Sequence, residues 1–207
     1  MKSLFIIASI LFAIVILFQS FMSRQTEQTE KQKYTVLYAE GDFEVRHYPS
    51  ATVATMRSSA RNYRDLSGTG FRKIAGYIFG DNVSQEKIAM TSPVHMSIGE
   101  KESSMSFVMP SGYDLSNLPR PNDPDVNLEK TPEEHVAAIR FGGYAGDETI
   151  RRNIERLETL LKQKGIRSMG NHRYLGYNPP YQVVGRRNEI IVTIDWKGAS
   201  DAAVSAR

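Results

Sequence analysis

YTVLYAEGDFEVRHYPSATVATM, residues 34–56, contains three short runs rich in β-branched and aromatic residues. The tripeptide Glu-Gly-Asp at residues 40–42 separates the first two runs, and Pro49-Ser50 separates the second from the third. Acidic residues, glycine and proline at such points are typical of turns between strands. The stretch therefore predicts three consecutive β-strands at the start of a domain that extends from residue 34 to residue 196.

The spacing of apolar residues changes twice to that of an amphipathic helix. Residues 63–79 place apolar side chains on one face, and Gly80 ends the run because glycine readily adopts a left-handed C-cap. Residues 147–164 repeat the pattern, and Gly165 ends it. The apolar positions are Leu66, Phe71, Ile74, Ala75 and Ile78 in the first predicted helix and Ile150, Ile154, Leu157, Leu160 and Leu161 in the second.

The two halves of the domain share one order of elements. Each has a strand, a helix ended by glycine, a strand, a break that contains proline and a final strand. Two helices cannot cover both faces of a parallel sheet, so a doubly wound fold is excluded. The pattern predicts a pseudo-twofold α+β fold with a twisted antiparallel sheet and two packed helices. Further strands are predicted at residues 87–90, 94–98, 104–109, 134–141, 172–177 and 189–196, and residues 113–131 are predicted to be largely loop.

The N-terminus begins with an apolar segment. Residues 4–18 carry no charge, and residues 4–22 approach the ~20 residues that cross a bilayer as a helix. Residues 1–22 are either a transmembrane anchor or a cleaved signal, and the large Phe21 and Met22 do not suit a cleavage site. We favour a single-pass membrane anchor with the domain on the exported side, and secretion after cleavage is the alternative. Residues 23–33 are predicted to be a polar linker and residues 197–207 a flexible tail.

Composition excludes several classes of protein. The chain has 207 residues, no cysteine and a net charge of +3 with a pI of about 9.0. Without cysteine there can be no disulfide, thiolate nucleophile, iron–sulfur cluster or Cys-ligated haem. The mild basic charge is far from the dense Lys/Arg footprint of a nucleic-acid binder, so no nucleic-acid partner is expected.

Five segments resemble the SOUL haem-binding family in order and spacing. They are FEVRHYPSATVATM (43–56), GFRKIAGYIFGDN (70–82), KIAMTSPVHM (87–96), FGGYAG (141–146) and YNPPYQVVGRRNEIIV (177–192). The resemblance implies a distorted, barrel-like sheet of two halves flanked by two helices. It also implies that haem or a metal-free porphyrin binds in a hydrophobic cleft beside the first helix, without catalysis.

His47 matches the histidine of the family's Arg-His-Tyr motif, which the resemblance makes a candidate axial ligand of haem iron. Neutral imidazole is a common iron ligand. The alternative is a strand histidine that only packs or forms hydrogen bonds. Glu44 and His47 do not form a di-iron Glu-x-x-His pair, because a strand sends positions 44 and 47 to opposite faces.

The other candidates line a ligand pocket beside the first helix. Phe71, Tyr77 and Ile78 are predicted to contact a flat ligand, with Met90 and Met96 as adaptable lining or core residues. Haem propionates require cations, and four basic residues are available near the motifs. These residues are Arg72, Lys73, Arg186 and Arg187, for which a solvated surface position is the alternative.

The sequence thus predicts a non-enzymatic module that binds haem or porphyrin for sequestration, buffering or transfer near a membrane. It contains no nucleophile-elbow, zinc-protease or P-loop motif. The alternative function is a sensor or protein-interaction module that binds another amphipathic ligand in the same cleft.

Overall fold

A computed structural model describes residues 2–198, in which nine strands form one antiparallel sheet. Two helices cover one face of this sheet, and a third helix precedes it. The helices are α1 (Lys2–Gln28), α2 (Tyr63–Ile78) and α3 (Asp147–Gln163). The strands are β1 (Glu30–Lys31), β2 (Thr35–Glu40), β3 (Phe43–Tyr48), β4 (Thr52–Ser58), β5 (Thr91–Ser92), β6 (Val94–Ser97), β7 (Ser103–Val108), β8 (Val126–Lys130), β9 (Glu134–Phe141), β10 (Ser168–Gly176) and β11 (Asn188–Ile194).

The strand order of the large sheet is β2-β3-β9-β11-β10-β6-β7-β4-β8. In each half the strand before the helix pairs with the last strand of that half, which gives β4 with β7 and β9 with β11. The middle strands β6 and β10 pair with each other at the centre. This arrangement confirms the predicted pseudo-twofold α+β fold. The sheet is open rather than a closed barrel, because β2 and β8 stand at its two ends.

Local sequence explains where α2 begins and ends. The side chain of Asn62 accepts a hydrogen bond of 2.8 Å from the backbone N–H of Asp65, which caps the first turn. Gly80 has a positive φ of 113°, which an L-side chain rarely adopts, so the helix ends just before it. Gly70 allows α2 to lie close to the sheet, since a Cβ there would approach Met56 Cε to 3.0 Å.

The two faces of the sheet have different environments. Alternate strand residues such as Val45, Met105 and Ile190 point to α2 and α3 and form the main apolar core. The opposite face carries a smaller apolar cluster that includes Tyr48, Val136 and Leu175. Among residues 2–198, only α2 and α3 make extensive contacts with the sheet, and both pack on the other face.

Two predicted segments differ from the structure. Residues 87–90 do not form a strand, because the backbone N–H of Ile88 donates to the carbonyl of Ile78 and the segment wraps the end of α2. Residues 113–131 are not loop throughout, since β8 pairs with β4 and places Val126 and Leu128 against the core. The high Asn, Asp and Pro content of the preceding residues concealed this short strand.

The N-terminal segment is one helix that continues beyond the apolar run. Phe5–Gln28 is long and apolar enough to cross a membrane: its most apolar 18 residues have a mean hydropathy of 2.5, and none of them is fully buried. Residues 23–33 also differ from a flexible linker. Helix α1 extends through Gln28, and β1 pairs in parallel with β5. The predicted tail from residue 199 onward lies outside the described residues.

Candidate functional site

The outer face of α2 exposes two aromatic rings. Phe71 is 40% exposed, and Phe79, directly after the helix, is 57% exposed. They lie eight residues apart, about 12 Å along the helix axis and about 80° apart around it, and Ala75 midway between them is buried. The Phe71 ring packs at 5.5 Å, in a tilted arrangement, on the core residue Phe107. We call the surface between Phe71 and Phe79 the stripe: it is a shallow apolar strip that runs obliquely across α2 with an exposed ring at each end.

The basic residues beside this stripe are not equivalent. Arg72 is exposed and has no hydrogen-bond or ion-pair partner within residues 2–198. Lys73 is already engaged, since its Nζ lies 2.6 Å from Asp125 and 3.0 Å from Asp123. The hydrogen bonds that Lys73 donates to Asp125 and then to Asp123 raise the pKa of Lys73. Arg72 is therefore the cation of this pair that can receive a ligand carboxylate.

Three of the predicted pocket residues lie beneath the helix. Tyr77 and Ile78 are both 1% exposed, and Met96 is also buried in the core. The hydroxyl of Tyr77 donates to the carbonyl of Pro119 at 3.0 Å, and burial raises its pKa to about 12. Met90 is partly buried against the same core. These side chains support α2 from behind and do not reach a ligand on its outer face.

His47 and α2 lie on different parts of the sheet. Helix α2 packs against β4, β6, β7 and β8, whereas His47 lies on β3 beside β9. Its Nε2 is 3.5 Å from a carboxylate oxygen of Glu133, and its ring is 5.3 Å from that of His135. The structure does not bring His47 together with Phe71 or Arg72.

Arg186 is bound within the loop that precedes β11. Its Nη1 donates to the carbonyls of Pro179 at 2.8 Å and Gln182 at 2.7 Å. Its guanidinium also lies 4.4 Å from the centre of the Tyr144 ring. Arg186 therefore holds this loop in shape, and the predicted residues fall into three separate groups.

A buried ion pair on the helix-free face was not predicted. Arg46 and Glu189 are 2% and 0% exposed, and the guanidinium of Arg46 donates to both carboxylate oxygens, at 2.6 and 3.0 Å. Arg187 donates to Glu189 as well, at 2.6 Å. Burial alone would raise the pKa of Glu189, but hydrogen bonds and charge from the two arginines outweigh burial and lower it. The carboxylate therefore stays ionised in the interior.

Next to this pair is a cavity of about 70 Å³ on the same face, lined by His95, Gln32 and Arg173. This volume holds a few water molecules and is far below that of a macrocycle. The imidazole Nε2 and the amide oxygen of Gln32 are 2.7 Å apart. Part of the ring is accessible, but burial and then the charge of Arg173 lower the pKa of His95 to about 3. His95 is therefore neutral at physiological pH.

A larger, open cleft of about 340 Å³ lies between the N-terminal ends of α2 and α3. Its apolar lining comes from Tyr63, Ile98 and Ile154. The cations at its rim are engaged: Arg61 donates to the carbonyl of Glu100, and Arg151 bonds to acidic residues of its own helix. The cleft offers apolar contact but no free cation among its lining residues.

Phe79 is an exposed ring that the sequence prediction did not include. Its position was a partial signal, because Phe79 follows Phe71 by eight residues, which is about two turns along the helix and about 80° around it. The predicted set instead included Tyr77 and Ile78, which belong to the buried stripe. Successive residues of a helix are 100° apart around its axis, which is enough to separate a core position from an exposed one.

The fold defines an α+β domain of two similar halves, and its first packed helix exposes two aromatic rings to solvent. Residues 29–193 match the family model described as SOUL heme-binding protein, and the chain belongs to that family. The expected family assignment is thereby confirmed.

The relatives in this family carry names that refer to haem. Heme-binding protein 2 of Mus musculus is 30% identical over 159 residues, which cover 72% of this chain and 77% of the relative. Heme-binding protein 2 of Homo sapiens is 28% identical over 158 residues, with the same coverage of both chains. Heme-binding protein 1 of Sus scrofa is 26% identical and covers 72% of this chain and 82% of its own.

Solved structures share the fold at very low sequence identity. The C-terminal domain of EcmrR has a TM-score of 0.57 and 11% identity, and it covers 78% of this chain and 98% of its own. A hydrolase from Listeria innocua has a TM-score of 0.54 and 7% identity, with coverage of 84% and 97%. At these identities the likeness shows the fold alone.

Proposed function

We propose that this protein binds haem or a metal-free porphyrin on the outer face of α2, without catalysing a reaction. Membership of the SOUL heme-binding family supports a tetrapyrrole as the ligand. The observation that carries the location is the pair of exposed rings, Phe71 and Phe79, about 12 Å apart along the axis of α2. A flat macrocycle on this stripe would cover apolar surface that water now contacts, which is favourable.

Arg72 gives this site a polar end. Its side chain lies one residue from Phe71, and its helix neighbours Gly68 and Gly76 are small, so the guanidinium can extend over the surface. Haem supplies two propionates, and an arginine hydrogen bonds to a carboxylate in a planar, bidentate manner. We propose that Arg72 orients the ligand by one propionate, while Lys73 stays with Asp123 and Asp125.

Titration of the full chain in phospholipid nanodiscs with hemin tests the proposal. Binding would shift and sharpen the Soret band relative to empty nanodiscs, which control for hemin dissolved in lipid. Metal-free protoporphyrin would bind with similar affinity, because the contacts are apolar rather than to iron. Arg72→Ala would weaken the binding of protoporphyrin free acid but not the binding of its dimethyl ester. A Soret band identical to that of empty nanodiscs would refute tetrapyrrole binding.

Anchorage by α1 would place this activity beside a membrane, for sequestration, buffering or transfer of the ligand. The length and hydropathy of Phe5–Gln28 support an anchor, and the same features suit a signal sequence. We propose an uncleaved anchor with the domain on the exported side. Mass spectrometry of the protein recovered from membranes would then find residues 1–22 retained, whereas a cleaved signal would leave a shorter, released chain.

The open cleft between α2 and α3 supports the alternative function, a sensor or interaction module for another amphipathic ligand. Its volume falls within the range of small-molecule sites, and its lining is mainly apolar. Ile154→Ala would weaken the binding of such a ligand without changing the Soret titration with hemin. Competition of that ligand with protoporphyrin would instead indicate one shared site.

A further inference from the structure

The loop between β10 and β11 exposes three large apolar or aromatic side chains in sequence. Tyr181, Val183 and Val184 are 54%, 57% and 65% exposed, and Gln182 between them is buried. Single apolar residues are common on protein surfaces, but a run on one loop marks an interaction site. The partner must be apolar where it meets these side chains.

This loop is hydrogen bonded to α1. The amide of Gln19 donates to the carbonyl of Tyr181 at 3.2 Å, and the backbone N–H of Val183 donates to the Gln19 amide oxygen at 2.9 Å. Seven residues further along α1, the hydroxyl of Thr26 donates to the side-chain oxygen of Gln182 at 2.8 Å. The loop thus lies along about 10 Å of α1, between Gln19 and Thr26.

The position of Gln19 sets the level of the loop. Gln19 follows Phe5 by 14 residues, about 21 Å along the axis of the candidate span Phe5–Gln28. A bilayer core is about 30 Å thick, so a core that begins at Phe5 ends about 9 Å beyond Gln19, close to Thr26, if α1 crosses the membrane. A polar amide near hydrocarbon is costly without partners, and the loop backbone supplies both a donor and an acceptor.

The loop is held firmly from its protein side. Tyr144 is 56% exposed, and its hydroxyl donates to the carbonyl of Pro180 at 3.1 Å. Arg186 lies over the Tyr144 ring and hydrogen bonds to two loop carbonyls. Tyrosine is enriched at membrane–water interfaces, where an apolar ring and a polar hydroxyl are both satisfied. The loop is thus a preformed apolar tip with an aromatic base.

We propose that residues 179–184 form a second membrane contact, in which Tyr181, Val183 and Val184 enter the domain-side boundary of the bilayer that α1 crosses. The inference rests on the proposed anchorage, and it fixes one side of the domain against the membrane. The level of Gln19 favours lipid over a protein partner, because any occupant of the loop tip must also lie beside the apolar helix.

The absence of cysteine from the chain makes a depth measurement direct. Single variants Val184→Cys, Phe12→Cys and Leu115→Cys would each carry one environment-sensitive fluorophore. Phe12 reports the anchor and is 68% exposed, while Leu115 is 50% exposed on the loop between β7 and β8 and serves as the control. The full chain would be reconstituted in phosphatidylcholine and phosphatidylglycerol vesicles with shallow or deep doxyl-labelled lipids.

We expect the label at position 184 to be quenched most by shallow doxyl groups, the label at 12 by deep ones and the label at 115 by neither. Gln19→Leu would reduce quenching at 184 and leave quenching at 12 unchanged. Quenching at 12 with none at 184 would overturn the loop contact and leave the anchor standing. No quenching at either position would overturn both. Blue-shifted emission at 184 without lipid quenching would indicate a protein partner and refute the lipid contact.

Discussion

Removal of the two exposed rings of α2 is the sharpest test of where the ligand binds. The variant Phe71→Ala/Phe79→Ala keeps the buried residues Leu66, Ile74 and Ile78 and removes one contact with the core, that of Phe71 with Phe107. A phenylalanine side chain offers about 200 Å² of surface, so exposures of 40% and 57% leave about 200 Å² of the pair facing water. The variant removes most of this area.

A flat ligand can cover only the outward half of the two rings, about 100 Å². At about 25 cal/mol per Å², and with the β-carbons retained, the loss is about 2 kcal/mol. This corresponds to a dissociation constant for protoporphyrin that is about 30-fold weaker. Fluorescence titration of the full chain in nanodiscs would measure the change, and circular dichroism would establish that the double variant keeps its helices.

Leu115→Ala is the matched control, since Leu115 is 50% exposed on another loop, and it should leave the affinity unchanged. Ile154→Ala reports on the competing cleft between α2 and α3. A folded Phe71→Ala/Phe79→Ala protein that binds within twofold of the parent would refute the stripe as the site. A loss confined to Ile154→Ala would place the ligand in the cleft.

Three further predictions concern the rest of the sheet. His47→Ala should leave the Soret band of the hemin complex unchanged, because α2 packs on other strands; a shifted band would place iron at His47. Arg46→Met should lower the free energy of unfolding in urea by about 3–5 kcal/mol, since it leaves Glu189 buried without its main partner, whereas Arg156→Met on an exposed pair should have a much smaller effect. An equal loss in both variants would contradict this account of the buried pair. The pKa of His95 is lowered to about 3 from an ordinary value near 6.5, so protonation below pH 6.5 favours the unfolded state. Between pH 6.5 and pH 5 the free energy of unfolding of the parent should therefore fall by about 1–2 kcal/mol more than that of His95→Gln. Parallel pH profiles of the two proteins would refute the burial of a neutral His95.

The arrangement of helices and strands was largely predictable, because burial imposes periodicity on sequence. The two helices are bounded by signals that act locally: the Asn62 cap, Gly80 and Gly165. The halves repeat the same order, and this repetition predicted the twofold pattern before any pairing was known. Strand β8 was missed because only Val126 and Leu128 face the core, and five residues are too few to show alternation against polar neighbours.

The candidate site was predicted less completely, because its residues are defined by what they do not contact. Phe71 and Arg72 follow from the helix pattern, but only three dimensions show that Asp123 and Asp125 engage Lys73. The buried pair of Arg46 and Glu189 joins residues 143 positions apart in the chain. Charged residues in strands are usually solvent exposed, so sequence gives no signal for such a pair.

The pairing of β6 with β10 makes the two halves depend on each other. Each half brings its own helix, but two ladders join the halves. One has four residue pairs between β6 and β10, from Arg173 with Ser97 to Gly176 with Val94, and the other has six pairs between β3 and β9. A fragment ending near residue 131 would expose the inner edge of β6 and invite another copy to take the place of β10. Cutting the chain between the halves would therefore not yield two independent domains. Each half exposes strand edges that pair with the other half, so separate halves would associate into dimers rather than persist as small domains.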